Sequence, residues 1–218
     1  MTDKKLLATK KIYEDPVVVA GYFEANGSNF NKKLAKDFSE SLQGKKIIDI
    51  GCGPGHYSNY FSHLGLETVG VDYSKEMIKK AEKLKPTNNS PMFVVADMRD
   101  LGTIFEKNSF HGAWANASLL HIPEEDIESV LKEINKIVKN KGKVFISLKK
   151  GKQGLKPISE NRYGKNITRQ FIFWRKNNFE KLAKQTGFKI EKAQEVKEGF
   201  TGNEPTIWLR FFLKVVKD

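Results

Sequence analysis

The feature that most constrains this chain is an apolar run that leads directly into a glycine-rich turn. The run and the turn read Ile47-Ile48-Asp49-Ile50-Gly51-Cys52-Gly53-Pro54-Gly55. A short run of β-branched residues predicts a buried strand, and the glycines after it permit backbone angles that other residues avoid. The helix-like segment that follows would offer unpaired N–H groups to a ligand. The sequence therefore predicts a strand, a turn and a helix that form a nucleotide-like pocket.

Similar apolar runs recur along the chain and alternate with helix-like segments. The predicted strands are Lys46–Ile50, Glu67–Val71, Met92–Ala96, His111–Ala115 and Lys143–Leu148. Such alternation predicts an α/β domain with a doubly wound, mostly parallel sheet between two helical layers, a three-layer αβα arrangement. Near the C-terminus, Phe188–Glu195 and Thr206–Val216 follow one another closely and predict an antiparallel strand pair. This pair completes a seven-stranded sheet.

The remaining segments are predicted as helices and loops. Apolar residues at helical spacing mark Val17–Phe23, Asn31–Leu42, Tyr57–Leu64, Lys75–Leu84, Glu124–Val138 and Asn177–Gln185. Two polar stretches, Lys85–Pro91 and Lys149–Asn166, are predicted loops. Residues 1–44 lack strand character and are expected to form a helical cap over the active site, with residues 45–218 as the sheet domain and one compact domain overall.

Composition limits the compartment and the partners. The formal net charge of +12 permits an RNA partner. Only five of the 38 cationic residues are Arg, however, and Arg is the side chain suited to bidentate recognition of phosphates and bases. The single cysteine and the lack of a signal-length apolar run indicate the cytoplasm, and no stretch is long enough to span a membrane. The histidines show no metal-ligand spacing, so no metal is expected.

Two acidic residues follow the glycine turn at the ends of the next predicted strands. Asp72 lies 21 residues after Gly51, where a carboxylate can accept both hydroxyls of an adenosine ribose or cap the next helix. Asp97 ends the third strand, where it can accept from the amine of adenine or pair with Arg99. The glycines run G-x-G-x-G, unlike the G-x-G-x-x-G of dinucleotide-binding turns. With Asp49, the acids fit one adenosyl ligand that carries an amino-acid tail.

In these motifs the chain resembles the class I methyltransferases, a seven-stranded, Rossmann-like family that uses S-adenosylmethionine. The resemblance extends from about Lys45 to the end of the chain. It implies that the turn residues hold the methionine end of the cofactor, namely Asp49, Gly51, Cys52 and Gly53. It further implies that Asp72 holds the ribose, that Tyr73 and Met77 face the adenine, and that Asp97 and the backbone of Met98 contact the adenine edge.

The segment Trp114-Ala115-Asn116-Ala117-Ser118-Leu119-Leu120-His121 resembles the fourth-strand region of a small bacterial subgroup of these enzymes. The likeness places Asn116 and Ala117 beside the sulfonium and His121 near the acceptor. The N-terminal residues Tyr13 and Tyr22 would line the same site, and the helices around them would shape the acceptor pocket together with the loop from Ser147 through Arg169. An aromatic face of Tyr13, Tyr22 or Trp114 would attract the sulfonium.

The candidate acceptor-binding residues are His121, Arg162 and Arg169. A neutral imidazole can take a proton near pH 7, which makes His121 the candidate base, unless it is only a half-buried packing residue. Arg162 and Arg169 are suited to an anionic acceptor, or they solvate a loop.

The expected function is transfer of a methyl group from S-adenosylmethionine to an O or N atom of a small molecule, with S-adenosylhomocysteine as the product. The Asn/Asp-Pro-Pro-Tyr sequence of enzymes that methylate the amino group of adenine or glutamine is missing, because Asn116 is followed by Ala117-Ser118-Leu119. Two alternatives stay open: an RNA (tRNA) methyltransferase, and a non-catalytic protein that binds the adenosyl ligand. The sequence leaves the acceptor and the oligomeric state undetermined.

Overall fold

The computed structural model describes residues 2–27, 30–84, 89–201 and 204–217. The helices are α1 (Thr2–Ile12), α2 (Pro16–Gly27), α3 (Lys32–Glu40), α4 (His56–His63), α5 (Lys75–Glu82), α6 (Leu101–Ile104), α7 (Ile127–Ile137) and α8 (Lys176–Gln185). The strands are β1 (Lys46–Ile50), β2 (Glu67–Asp72), β3 (Met92–Val95), β4 (Phe110–Asn116), β5 (Val138–Lys150), β6 (Gly154–Arg162), β7 (Lys165–Trp174), β8 (Phe188–Thr201) and β9 (Glu204–Val215).

Seven of these strands form the predicted sheet. Five parallel strands lie in the order β3-β2-β1-β4-β5. Strand β9 pairs antiparallel with the far edge of β5, and β8 pairs antiparallel with β9, which confirms the C-terminal strand pair. The strand order reverses between β1 and β4: β2 and β3 lie on one side of β1, whereas β4 and β5 lie on the other. Ligands bind at the carboxyl ends of strands at such a reversal.

A second antiparallel hairpin, β6 and β7, occupies most of the segment predicted as the loop Lys149–Asn166, so that prediction was wrong. The hairpin joins β5 at Lys149↔Phe173 and Lys150↔Trp174, beyond the last β4 pair at Asn116↔Ser147. Strand β9 occupies the other edge of β5 as far as Lys149. The hairpin therefore lies on the same edge of β5 as β4, past the carboxyl end of β4. Strand β6 is polar and only partly buried, so it lacks the apolar run by which strands are recognised.

Helices cover both faces of the sheet, which confirms the three-layer arrangement. On one face, α7 and α8 bury Ile127, Ile134 and Phe179 in the main apolar core. On the other face, α3 and α4 contribute Phe38 and Phe61 to a second cluster. In that cluster Trp114 is 0% exposed and stacks on Phe145, with ring centroids 4.0 Å apart. Trp114 therefore packs in the core, and its predicted contact with the sulfonium is wrong, because its side chain faces a helical layer.

The N-terminal segment is helical, and it begins with α1, which was not predicted. The α1 residue Thr9 accepts from the backbone N–H of Gln170 on β7 through its Oγ1, at 2.7 Å. The backbone carbonyl of Tyr13 accepts from the hydroxyl of Ser74 at the start of α5, also at 2.7 Å. These contacts hold the segment between α1 and α2 over the carboxyl edge of the sheet. The division between residues 44 and 45 stays a prediction.

The predicted loop Lys85–Pro91 is only partly among the described residues. Residues 85–88 of the predicted loop Lys85–Pro91 lie outside the described residues, and residues 89–91 form neither helix nor strand.

Candidate functional site

The glycine turn is fixed to the end of the neighbouring strand β2. The N–H groups of Gly51 and Cys52 donate to the carbonyl of Val71 at 2.7 and 2.9 Å. Gly51 and Gly53 have φ values of +71° and +52°, in the left-handed region that glycine adopts without strain. The parallel pairing of β1 with β2 thus determines where the turn lies.

Asp72 is the acceptor at the centre of this arrangement. Its Oδ2 accepts from the N–H of Gly53 and its Oδ1 from the N–H of Ser74, both at 2.9 Å. Burial raises the pKa of Asp72 to about 6, because the charged form loses solvation. A carboxylate has about four lone-pair positions, so each oxygen retains capacity for a further donor. The geometry suits a ligand with two neighbouring hydroxyls.

Asp49 lies below the turn and is 2% exposed. Its Oδ2 accepts from the Ser58 hydroxyl at 2.6 Å. Burial raises its pKa to about 7, and the negative charge of Asp72 adds to the rise. A ligand cation at the turn would relieve the cost of this buried carboxylate.

Asp97 is already surrounded by donors. It accepts from the backbone N–H and the guanidinium of Arg99, and from Lys10 Nζ on α1 at 2.7 Å. Burial alone would raise the pKa of Asp97, but these donors lower it to about 2. The pairing with Arg99 is therefore present. An adenine amine would have to replace one of the donors, and Lys10 is the one that belongs to a separate element.

Two cavities open at the carboxyl edge of the sheet. The first is lined by ten of the predicted cofactor residues: Tyr13, Tyr22, Gly51, Gly53, Asp72, Tyr73, Met77, Asp97, Met98 and Ala117. The second, of about 340 Å³, is lined by the other three, Asp49, Cys52 and Asn116, and by the predicted acceptor residues Arg162 and Arg169. Both cavities share Tyr13, Tyr22, Gly51, Gly53, Ala117 and His121. A ligand in the first cavity can therefore meet a ligand in the second beside the glycine turn.

The turn after β4 forms the wall where the two cavities meet. Ala117 has a φ of +55°, which is unusual for a residue with a Cβ. Its N–H donates to the hydroxyl of Ser147 at 2.8 Å, and that hydroxyl donates to Asn116 Oδ1 at 2.8 Å. This conformation brings Ser118 against Gly51, where an added Cβ would lie 2.3 Å from Ser118 Cβ. The left-handed conformation of Ala117 brings Ser118 close to Gly51, and this close approach requires that Gly51 has no side chain.

His121 is held as one neutral tautomer. Its Nδ1 lies 3.1 Å from the carbonyl of Gln170, so Nδ1 carries the proton and donates it. Its Nε2 is then an acceptor, 3.4 Å from the hydroxyl of Tyr13, which also accepts from Arg169 at 3.0 Å. Burial, followed by the charge of Arg169, lowers the pKa of His121 to about 3. The imidazole is neutral at pH 7 and presents its lone pair to Tyr13.

The two arginines predicted to bind the acceptor share an acidic partner. Arg169 forms a close ion pair with Glu160, and Arg162 lies 3.6 Å from the same carboxylate. Both side chains border the second cavity. They are thus part of the predicted site, but their charges are partly neutralised within the protein.

Sequence reasoning did not single out several residues that line the cavities. These are Lys10 and Ser118 in the first cavity, and Lys149, Trp208 and Arg210 in the second. Lys149 follows Ser147 by two positions on β5. Because side chains alternate between the two faces of a sheet, the side chains of Ser147 and Lys149 lie on the same face. That signal was lost because the segment from Lys149 was taken as a loop. Lys10, Trp208 and Arg210 reach the site through tertiary packing and have no local signal.

The cavity features fit an adenosyl ligand with an amino-acid tail. The Ser118 hydroxyl is buried and has no partner among the described residues, so it is an open polar group at the wall of the first cavity. An added Cβ at Gly53 would come no closer than 3.8 Å to Tyr22, its nearest neighbour, so the glycine leaves open space for a ligand there. The described part of the chain contains no group of three acidic, His or Cys side chains that could hold a metal. In the same residues, no helix is long and apolar enough to cross a membrane.

We expect Gly51→Ala to destabilise the protein more than Gly65→Ala. Both glycines have positive φ, but an added Cβ at Gly65 meets nothing within 4 Å, whereas at Gly51 it strikes Ser118. The backbone penalty of about 1–2 kcal/mol applies to both variants, and the clash adds to it only at Gly51. Urea denaturation measures the two free energies of unfolding, and equal losses would contradict this description of the turn.

We expect Asp49→Asn to flatten the pH dependence of stability. The folded-state pKa of Asp49 lies above its unfolded value, so its carboxyl stabilises the fold at low pH and loses that contribution as the pH rises. Between about pH 5 and pH 8 this single group should lower the free energy of unfolding by about 3 kcal/mol. Denaturation of both proteins across this range tests the difference, and parallel curves would refute the raised pKa.

Comparison with known proteins finds similarity to methyltransferases. Residues 48–146 match a family model described as a methyltransferase domain. The chain is 30% identical over 135 residues to tocopherol O-methyltransferase from Arabidopsis thaliana, covering 57% of this chain and 38% of that protein. The chain thus spans well under two thirds of the length of this relative.

Solved structures share the fold. A structure of a SAM-dependent methyltransferase from Methanosarcina mazei matches with a TM-score of 0.74 at 17% identity, over 84% of this chain and 98% of that one. The 1,6-didemethyltoxoflavin-N1-methyltransferase of Burkholderia thailandensis, solved with its acceptor and S-adenosylhomocysteine, matches with a TM-score of 0.70 at 16% identity, over 100% and 91%. The chain therefore shares the fold of these solved structures, and its residues 48–146 match the methyltransferase domain model.

Proposed function

We propose that the protein transfers a methyl group from S-adenosylmethionine to an O or N atom of a small-molecule acceptor. The observation that carries the proposal is the junction of the two cavities at the glycine turn. One cavity has the acids and glycines that suit an adenosyl ligand, and the other has room for a second reactant. Reaction requires two ligands in contact, and a shared wall provides that contact.

The residues of the first cavity would bind the donor in the order predicted from the sequence. Asp72 would accept the ribose hydroxyls, while Tyr73 and Met77 would face the adenine. Asp97 and Met98 would contact the adenine edge after Lys10 is displaced. The methionine end would lie at the turn, within reach of residues Asp49, Gly51, Cys52, Gly53, Asn116 and Ala117. Bound there, the sulfonium would supply an activated methyl group, and the protein would align the acceptor and exclude water.

The size and shape of the second cavity favour a small-molecule acceptor over an RNA acceptor. Its volume of about 340 Å³ lies within the range of small-molecule sites. The β6–β7 hairpin and the N-terminal helices supply Arg162, Tyr163 and Tyr22 to its walls, so the site is recessed. The tyrosine pair Tyr13 and Tyr22, with ring centroids 6.1 Å apart, lies where the cavities meet and would favour a sulfonium by cation–π attraction.

His121 is the proposed proton acceptor. Its neutral Nε2 faces the shared region through the hydroxyl of Tyr13. The charge of Arg169 opposes protonation of the imidazole, so His121 would gain basicity when negative charge arrives in the second cavity. We further propose a cytoplasmic location, on the single cysteine alone.

We expect S-adenosylhomocysteine to bind more tightly than NAD in titration calorimetry. Asp72→Ala should weaken that binding at least about tenfold, because hydrogen bonds to a buried carboxylate are lost. Asp37→Ala is the matched control, since Asp37 forms an exposed i,i+4 pair with Lys33 on α3. Tighter binding of NAD, or equal losses in the two variants, would overturn the assignment of the first cavity.

We expect His121→Asn to lower methyl transfer while leaving S-adenosylhomocysteine affinity within about twofold. Loss of a positioned base lowers a rate by about a hundredfold or more. Transfer of labelled methyl groups into a metabolite extract gives the rate, and calorimetry gives the affinity. His63→Asn, at an exposed position on α4, is the control. Unchanged transfer in the His121 variant would remove this residue from the reaction.

A further inference from the structure

The second cavity is rich in positive charge. Lys149, Arg162, Arg169 and Arg210 line it, and the acidic side chains that pair with the arginines are Glu160 and Glu198. Glu160 forms ion pairs with both Arg162 and Arg169, and Glu198 forms one with Arg210. Asp49 adds a carboxyl at the glycine turn, but its pKa is raised to about 7 by burial. The cavity therefore has more cationic than anionic groups at neutral pH.

Lys149 is the cation that lacks an acidic partner. The side chain is on β5, the residue is 6% exposed, and no carboxylate among the described residues lies within ion-pair distance of its Nζ. Its Nζ donates to Thr201 Oγ1 at 2.5 Å and lies 3.9 Å from the ring centroid of Phe171. An ammonium has three donors, so one neutral hydroxyl and an aromatic face satisfy it only in part.

A buried, incompletely paired charge is costly. Burial, followed by the nearby charge of Arg169, lowers the pKa of Lys149 to about 7. The fold nevertheless places this amine at the wall of the second cavity. A ligand anion would restore the charged form and remove the cost.

We propose that the acceptor carries an acidic group, a carboxylate or a phosphate, that pairs with Lys149 Nζ beside Phe171 and Trp208. The inference rests on the proposed function and adds the chemical class of the acceptor. Trp208 borders the same cavity, and the centroid of its ring is 5.7 Å from Lys149 Nζ. Aromatic faces around the cation suit an acceptor whose acidic group is attached to a planar or apolar body.

The same negative charge would act on the proposed base. Phe171 contacts both Lys149 and His121: the centroid of its ring is 3.9 Å from Lys149 Nζ and 5.0 Å from the centroid of the His121 ring. An anion at Lys149 would offset the positive charges of Arg169 and Lys149, which add to the effect of burial in lowering the pKa of His121. Acceptor binding would thus both position the reacting atom and favour the removal of its proton.

The test is a fluorescence titration of the protein saturated with S-adenosylhomocysteine. Trp208 borders the cavity, whereas Trp114 and Trp174 are buried in the core, so quenching reports on Trp208. The probes are benzoate, phenyl phosphate and neutral benzamide. We expect one of the anions to bind at least about tenfold more tightly than benzamide, as for a charge-assisted pair.

Three variants assign the effect to one side chain. Lys149→Met should lose the preference for the anion and keep its benzamide affinity, and Lys149→Arg should retain the preference. Lys150→Met is the matched control, because Lys150 is exposed and pairs with Glu195 on β8. Equal affinities for anions and benzamide in the unaltered protein, no binding of either anion, or an unchanged preference in Lys149→Met would each overturn the proposal. Failure of S-adenosylhomocysteine to bind would instead contradict the proposed function.

Discussion

The site depends on the hydrogen bonds that tie the glycine turn after β1 to the end of β2. Val71 receives two N–H groups of the turn through its carbonyl, and Asp72 receives a third through its side chain. These bonds exist because β1 and β2 pair in parallel register, Ile50 opposite Val71. The register thereby places a buried carboxylate, bare backbone and a helix N-terminus around one small space.

The second half of the site comes from elements that are remote in sequence. The hairpin β6–β7 and the helices α1 and α2 meet above β4, where Tyr13 links His121 to Arg169. Tyr13 and Arg169 are separated by 156 positions in the chain. The acceptor region is thus assembled by packing around a donor region that is built mainly from adjacent strand ends.

This difference explains how much could be predicted from the sequence. Asp49, Asp72 and Asp97 could be predicted to lie close together because apolar runs reveal strands and strand ends converge at one edge of the sheet. The hairpin escaped prediction because β6 is polar and partly exposed, and with it Lys149 was assigned to a loop. Trp114 was placed at the ligand because it lies near the motif in sequence, but alternate residues of a central strand face the helical layers. The pairing of Asp97 with Lys10 had no local signal.

The central claim is that a methyl donor in the first cavity reacts with a small molecule in the second. It is tested most directly by incubating the purified protein with S-adenosylmethionine that carries a deuterated methyl group, in a metabolite extract, and by mass spectrometry of the products. We predict one or a few small molecules that gain the labelled methyl group, and no gain with the Asp72→Ala variant. Label found only in RNA, or in no product while the donor remains bound, would contradict the account.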